Sequence, residues 1–200
     1  DTIALEAFKA GNYNLRREYD IKKWKTAYNY PATESGEVKV ESIPHQRPEW
    51  LKALIFNTRR PMFQDVRVRQ ALGLLFNYDW INKNLFYGVY KPIESAFPNS
   101  ELSAHAWKAP SSQDERANVR TANELLRKAG WSYKDEKLVD RDGHPFEFEI
   151  LLGEPADEKI ALEYTRGLKR IGVNARVRSV DNAQFTGRLQ DFDYDMVSYK

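Results

Sequence analysis

The last third of the chain alternates strand and helix patterns, and this rhythm constrains the fold more than any other feature of the sequence. Apolar strands are predicted at 146–152, 174–180 and 194–199, and helices are predicted between them at 155–171 and 183–190. Parallel strands need a crossover of a dozen or more residues, which is usually a right-handed helical connection. The pattern therefore predicts an α/β fold that contains a β-α-β unit.

The first two thirds of the chain supply more strands and the helices that flank the sheet. Asp65 is placed to cap a helix whose core side includes Val66, Ala71 and Leu72. The pair Asp142-Gly143 predicts a hairpin over residues 138–146. The other predicted elements are helices at 3–10, 21–28 and 79–87, a helix from Ser112 or Asp114 to Ala129, strands at 38–43 and 51–56, and a loop at 92–110. We expect a mixed sheet with flanking helices.

Length and composition fit a single domain over residues 1–200. The chain is 42% hydrophobic and 13% aromatic, which is enough for a core. A net charge of +2 is too balanced to indicate nucleic-acid binding by charge alone. The absence of cysteine excludes disulfides, thiolate metal sites and a cysteine nucleophile, and without a run of 18 apolar residues the sequence predicts no membrane insertion by this segment. Because the chain starts at Asp1 and stops at Lys200 directly after a predicted strand, we expect an excised piece of a longer polypeptide.

Residues that could carry catalysis are present but do not form a recognisable constellation. His45, His105 and His144 fall in predicted loops, where surface or structural roles are the rule. The acid pair Asp140/Asp142 lacks the twelve-position calcium loop with its terminal Glu, and the isolated glycines form no phosphate loop. We therefore predict a binding protein rather than an enzyme, with no metal and no cofactor.

One stretch of the sequence is more specific than these periodicities. It reads NTRRPMFQDVRVRQA at 57–71, with KAGNYN before it at 9–14 and NLFYG and FPNSEL after it at 84–88 and 97–102. This wording resembles the bacterial extracellular solute-binding proteins of family 5, the oligopeptide, dipeptide and nickel receptors of ABC importers, and most of all their YejA-like branch. The resemblance implies that the chain is the second lobe of a two-lobe periplasmic-binding-protein fold.

The resemblance also implies where a solute would lie. The second lobe of the family lines its side of the cleft with residues before the 51–56 strand, the turn after 146–152, the start of the 183–190 helix and the last strand. On this chain those positions are Gln46, Arg47, Trp50, Asp157, Phe185, Met196, Ser198 and Tyr199. Arg16 and Glu18 are expected at the hinge edge.

The function implied is binding of a solute, most simply an oligopeptide, for uptake by an ABC importer, with this chain supplying one wall of the cleft. The implied partners are an oligopeptide-like small solute, the permease subunits of the importer and the other lobe of the same parent chain. The implied location is periplasmic, or extracellular and lipid-anchored.

Two alternatives stay open from the sequence. One is a receptor lobe for another solute, such as a nickel chelate or an oligosaccharide. The other is a basic RNA-contacting module that uses Arg59, Arg60, Arg67 and Arg69. The salt dependence of binding distinguishes the RNA-contacting module from a peptide receptor, because phosphate-dominated binding weakens steeply with ionic strength and peptide binding does not.

Overall fold

The computed structural model describes residues 2–48, 51–93, 95–103 and 114–200, and in these ranges the chain is an α/β structure. Its helices are α1 (Thr2–Lys9), α2 (Ile21–Thr26), α3 (Pro31–Glu34), α4 (Val66–Gly73), α5 (Tyr78–Leu85), α6 (Glu115–Lys128), α7 (Glu158–Lys169) and α8 (Asn182–Gln190). Its strands are β1 (Ala53–Phe56), β2 (Ser132–Lys134), β3 (Lys137–Val139), β4 (Glu147–Leu152), β5 (Asn174–Ser179) and β6 (Met196–Tyr199). Short 3-10 turns precede α4 and α7, at Pro61–Phe63 and Pro155–Asp157.

Four strands form a mixed sheet in the order β1-β6-β4-β5. Strand β4 runs parallel to both β5 and β6, which confirms the predicted β-α-β unit, and β1 pairs antiparallel with β6. In that pair Ala53 lies opposite Tyr199 and Phe56 lies opposite Met196. The structure therefore confirms the predicted fold class, an α/β fold with a mixed sheet and flanking helices.

The main core lies on one face of this sheet. Alternate residues of β4 bury their side chains there among side chains from α4, α6 and α7, and these β4 residues are Phe148, Ile150 and Leu152. The hydroxyl of Tyr164 in α7 donates to the carbonyl of Leu72 in α4 at 3.0 Å. On the opposite face Arg188 of α8 pairs with Glu149 of β4 at 2.8 Å. Strand β4 is thus covered on both sides, by α7 and by α8.

The helix in the 57–71 segment begins as predicted but buries a different residue in its first turn. Asp65 caps α4, because its Oδ1 accepts from the Arg67 amide at 2.8 Å. The prediction that Val66 faces the core is wrong: Val66 is 52% exposed, and Val68 is 1% exposed in its place. Helix α5 likewise begins one residue earlier than predicted, with Asn77 as its cap.

The predicted strand at 38–43 is not formed. In the described part of the chain these residues join no ladder, and Val40 and Ile43 expose 40% and 77% of their surface. A strand needs a neighbour to accept and donate its backbone hydrogen bonds, and alternation alone does not provide one.

Of the predicted hairpin at 138–146, only a tight turn is formed. Gly143 adopts φ +87°, and a single antiparallel bridge joins Val139 to Pro145. The ladder of β3 runs instead to β2, through a turn in which Asp135 and Glu136 both have positive φ. That pair lacks the glycine or asparagine that signals such a turn, so the sequence did not reveal it.

Two predictions fall partly outside the described residues. Of the two expected starts of α6, Asp114 is the cap, since its carboxylate accepts from the Ala117 amide at 2.8 Å, and Ser112 lies outside the described residues. His105 and most of the second half of the 92–110 loop also lie outside them. None of the helices in the described ranges has the length and apolar character that crossing a membrane requires.

Candidate functional site

The carboxyl ends of the parallel strands bring together segments that are distant in sequence. Strand β4 ends at Leu152, β6 ends at Tyr199, and antiparallel β1 begins beside Tyr199 at Ala53. In open α/β sheets, ligands bind in the crevice outside these carboxyl ends. We call this place the rim, and it comprises Lys52, Gly153, Glu154, Asp157, Phe185, Ser198, Tyr199 and Lys200.

A buried polar contact joins β6 to the start of α7 at the rim. The Ser198 hydroxyl donates to Asp157 Oδ2 at 2.6 Å, and the two residues are 8% and 5% exposed. Lys52 Nζ lies 2.6 Å from Asp157 Oδ1. A buried carboxylate needs such partners, because removing an unpaired charge from water is costly. Asp157 therefore holds Ser198 and Lys52 in fixed positions.

Charges of both signs are balanced at the rim. Glu154 lies 3.0 Å from Lys52 and 3.6 Å from Lys200. The hydrogen bond from Lys52, together with its charge, holds the pKa of Glu154 below its ordinary value. Burial disfavours the charged form of Lys52, but its bonds to Asp157 and Glu154 outweigh burial and raise the pKa of Lys52. The rim therefore brings two lysines, Lys52 and Lys200, together with two carboxylates, Glu154 and Asp157.

Two aromatic rings form the apolar part of the rim. Phe185, from the first turn of α8, stacks on Tyr199 with ring centroids 6.5 Å apart and ring planes 27° apart. Asp181 fixes this turn, because its carboxylate accepts from the Gln184 amide at 2.9 Å. Phe185 is half-buried, whereas Tyr199 is 49% exposed. An exposed ring beside charged groups offers a solute both apolar and polar contacts.

Four of the eight positions implied by the resemblance meet at the rim, namely Asp157, Phe185, Ser198 and Tyr199. Met196 does not reach this surface: it is fully buried in the core, on the face that α7 covers, and leaves no surface for a solute to touch. Gln46 and Arg47 are exposed on the segment before β1, and Asn99 Nδ2 donates to the Arg47 carbonyl at 3.1 Å. Trp50 lies outside the described residues.

Four residues of the rim are not among the site positions predicted from the sequence. They are Lys52, Gly153, Glu154 and Lys200. Lys52 bonds to Glu154 across 102 residues of sequence, and no local pattern reports a pairing of that range. Gly153 and Glu154 do carry a signal, since they stand directly after a predicted strand in an α/β pattern, where binding residues collect.

A second concave region lies near the amino-terminal helices. A cavity of about 1030 Å³ is lined by α2 together with residues 15–21 and 38–43, and its wall includes Arg16 and Glu18. Their side chains are 9% and 6% exposed and lie 3.2 Å apart, and Tyr28 donates to the same Glu18 oxygen at 2.8 Å. Burial favours the neutral acid, but bonds from the Asp20 amide, Tyr28 and Arg16 hold the pKa of Glu18 below its ordinary value. This network fixes the 13–20 segment.

Only one group in the described part of the chain has the spacing of a metal site. The ligand atoms of Asp140, Asp142 and His144 lie within 4.8 Å of one another. Asp140 Oδ1 already accepts from the amides of Asp142 and His144, at 2.9 and 2.8 Å. The group therefore stabilises the turn before β4, at the opposite end of that strand from the rim.

The four arginines considered for RNA binding make contacts within the chain. Two of them pair with carboxylates, Arg67 with Asp65 at 2.6 Å and Arg60 with Asp195 at 3.0 Å. Arg69 donates to the Phe63 and Gln64 carbonyls at 2.7 and 2.8 Å. The guanidinium of Arg59 lies 3.5 Å from the Phe192 ring centroid. These contacts favour an ion-paired surface over a phosphate-binding one.

Solved structures share the fold of this chain. Over 99% of its length the chain matches the oligopeptide-binding protein AppA of Bacillus subtilis in complex with a nonapeptide, with TM-score 0.66, 21% identity and 38% of that chain covered. It matches NikA of Brucella suis in complex with Fe(III)-EDTA over 99% of its length as well, with TM-score 0.72, 22% identity and 39% of that chain covered. At these identities the likeness shows the fold alone, which is that of periplasmic binding proteins.

Sequence comparison narrows the class to a family. The family described as bacterial extracellular solute-binding proteins, family 5 Middle, matches residues 1–200. A putative binding protein of Brucella suis is 37% identical over 98% of this chain and 37% of its own length. In Agrobacterium fabrum, the peptidoglycan-binding protein YepA is 32% identical over 98% of this chain and 38% of its own length, and the probable peptide-binding protein YejA is 30% identical over 97% and 37%. The chain belongs to family 5, as the 57–71 segment predicted, and it spans little more than a third of these relatives.

Proposed function

We propose that this chain is the second lobe of a two-lobe receptor that binds an oligopeptide-like solute for an ABC importer. The rim is the wall that this lobe presents to the cleft, and closure of the other lobe over the solute buries the Tyr199 ring and removes water from nearby hydrogen bonds. One observation carries the proposal: in a chain of family 5, a half-exposed aromatic pair lies beside charges of both signs at the carboxyl end of the sheet.

An oligopeptide is the solute whose chemistry best matches the rim. A peptide has an ammonium group, a carboxylate and apolar side chains, and the rim offers Glu154, Lys200 and the ring pair in return. Names of relatives and neighbours point the same way, since one is called peptide-binding, one peptidoglycan-binding, and AppA was solved with a nonapeptide. The peptidoglycan name makes a peptide that carries sugar a second candidate.

The nickel-chelate alternative is supported by the fold of NikA but less by the rim. Asp157 is buried and already bonded to Ser198 and Lys52, so its oxygens are not open to a metal ion. No histidine stands among the rim residues. Histidine and unpaired carboxylate groups are the side chains that divalent metals prefer, so the rim suits a peptide better.

The proposal includes the partners and the location of the receptor. The other lobe would come from the same parent chain, the permease subunits of the importer would receive the solute, and the receptor would be periplasmic, or extracellular and lipid-anchored. It is a binder and not an enzyme. The extracellular description of the family supports this location. Gln46, Arg47 and Trp50 remain proposed contacts on the segment before β1.

Titration calorimetry with trialanine tests the proposal, using both this 200-residue chain and a complete receptor that contains it. The chain alone lacks the second wall of the cleft, so we expect dissociation constants of about 1 mM or weaker, a binding free energy near 4 kcal/mol. In the complete receptor, Tyr199→Ala should weaken binding by about 1–3 kcal/mol. Tyr133→Ala is the matched control, because Tyr133 is 51% exposed but lies in the β2–β3 hairpin, away from the rim.

Two results would contradict the proposal. Micromolar binding by the 200-residue chain alone would show that no second wall is needed. Equal affinities of the Tyr199→Ala and Tyr133→Ala receptors would show that the rim is not the binding surface.

A further inference from the structure

Gly153 follows β4 directly and lies under the Phe185 ring. A Cβ atom at position 153 would stand 2.7 Å from Phe185 Cγ and 2.8 and 2.9 Å from the two Cδ atoms. Contacts that short do not occur between real side chains, so any other residue at position 153 forces the ring to move. The φ of Gly153 is not in the left-handed region, and its backbone is therefore open to any L-residue. The glycine is needed for space and not for its conformation.

The space left by Gly153 determines where the Phe185 ring lies. The backbone of α8 is held by the Asp181 cap, and the amide of Phe185 donates to the Asp181 carbonyl at 2.9 Å. With the helix fixed, the ring can settle onto the end of β4 only because no side chain stands there. In that position it stacks on Tyr199 of β6. Gly153 thus leaves room for the Phe185 ring to lie against Tyr199.

We propose that Gly153 is a specificity-determining position, which lets the Phe185–Tyr199 stack form an aromatic wall that selects solutes with a planar apolar group. This inference rests on the proposed function of the rim. Both members of the pair are aromatic and the Tyr199 ring is 49% exposed, so the wall offers an apolar face. Such a face binds an aromatic side chain of a peptide or the apolar face of a sugar ring.

The test measures binding to a complete receptor containing this chain, with three probes: trialanine, the tripeptide Ala-Phe-Ala, and the disaccharide diacetylchitobiose. The native receptor should bind one planar probe about tenfold or more tightly than trialanine, which corresponds to roughly 1.4 kcal/mol. Ala-Phe-Ala as the preferred probe identifies an aromatic side chain as the source of the planar group, and diacetylchitobiose identifies a sugar. Equal binding of all three probes overturns the inference and leaves the proposed function standing.

Gly153→Ala should remove most of this preference, so that the ratio of the planar-probe affinity to the trialanine affinity falls towards one. Gly187→Ala is the matched control, because Gly187 lies in the same helix as Phe185, has no positive φ and has no atom within 4 Å of an added Cβ. Retained preference in Gly153→Ala overturns the inference. If Gly153→Ala does not fold, Phe185→Leu tests the same wall without adding atoms near β4, and it should lose the preference as well.

A double variant shows whether Gly153 acts through the ring. In a Phe185→Ala background, Gly153→Ala should not change the ratio of the planar-probe affinity to the trialanine affinity any further. The Phe185 ring that an alanine at position 153 would displace is already absent there. An additional loss in that background would give Gly153 a role independent of Phe185 and overturn the inference. If the native receptor binds none of the probes, the proposed function fails and this inference fails with it.

Discussion

At the scale of single residues, Asn57 joins the end of β1 to the loop that leads into β6. Its side chain is buried and makes three hydrogen bonds: Nδ2 donates to the Phe192 and Tyr194 carbonyls at 3.0 and 2.8 Å, and Oδ1 accepts from the Arg59 amide at 3.1 Å. Its backbone amide donates to the Asp195 carbonyl at 2.9 Å. Asn57 therefore positions the entry of β6, and through it the rim at the other end of that strand.

We expect Asn57→Ala to destabilise the protein by about 1–3 kcal/mol, because it removes the three hydrogen bonds of a buried side chain. Urea unfolding followed by circular dichroism measures this effect. Asn84→Ala is the control, since Asn84 is exposed in α5 and bonds only to the Trp80 carbonyl of its own helix, so a change below about 0.5 kcal/mol is expected there. Equal destabilisation of the two variants would show that the Asn57 bonds contribute nothing particular.

Residue-level prediction from sequence succeeded where the cause is local. The Asp65 cap depends on a carboxylate two residues before the Arg67 amide, and a short pattern reports it. Which of Val66 and Val68 is buried depends on the direction from which α6 packs on α4, and the sequence of α4 does not contain that information. The pairing of Lys52 with Asp157 likewise depends on the completed sheet.

At the scale of elements, α7 lies very close to the chain just after α4. A Cβ at Gly167 of α7 would stand 2.6 Å from the Leu75 carbonyl oxygen, and Gly167 has an ordinary helical backbone. The Tyr164 bond to the Leu72 carbonyl lies one turn earlier on the same helix. These two contacts set the separation of α7 from the 72–75 segment, and backbone atoms cannot rearrange as a flexible side chain can.

We expect Gly167→Ala to destabilise the protein by about 1–3 kcal/mol through overpacking. Helix propensity acts in the opposite direction, since alanine is favoured over glycine in a helix by about 1 kcal/mol, and Gly187→Ala in α8 isolates that gain because its added methyl meets open space. In thermal unfolding, the Tm of Gly167→Ala should therefore fall and the Tm of Gly187→Ala should rise. A raised Tm for both would show that α7 can shift away from Leu75 without loss.

Helices and strands were predicted well where a clear hydrophobic periodicity extends over many residues. They were predicted poorly where a strand forms only if another strand pairs with it. The helices α7 and α8 and the strands β4 and β5 lie within a few residues of their predicted bounds. The alternation at 38–43 is as clean as in β5, yet only β5 has a strand beside it. Strand formation depends on a partner that is often distant in sequence, and the periodicity of one segment does not report it.

At the scale of the whole molecule, the residues of the main core come from positions between Phe63 and Met196, and the sheet joins strands from β1 to β6. We therefore propose that the chain is a single domain. Differential scanning calorimetry should show one transition whose van't Hoff and calorimetric enthalpies agree. Two separated transitions would contradict this proposal, and the amino-terminal segment with the Arg16–Glu18 pair would then be the natural second unit.

The candidate site was predictable in kind but only partly in detail. The α/β pattern and the family motif together indicated the carboxyl end of the sheet, and Phe185 and Tyr199 do meet there. Met196 shows the limit, because two residues along a strand separate a rim position from the interior of the core. Gly153 shows another limit, because its position after β4 is readable from the sequence, whereas its closeness to Phe185 depends on the completed fold.

The place of β6 in the sheet has a consequence for the order of events during synthesis. Of the strands in the described residues it is the last to be made, yet it stands between β1 and β4 and pairs with both. Until residues 196–199 have left the ribosome, β1 has no partner strand in this sheet, and pairings of such long range also form slowly. We therefore expect the β4-α7-β5 unit to form first during synthesis and β1 to join the sheet last.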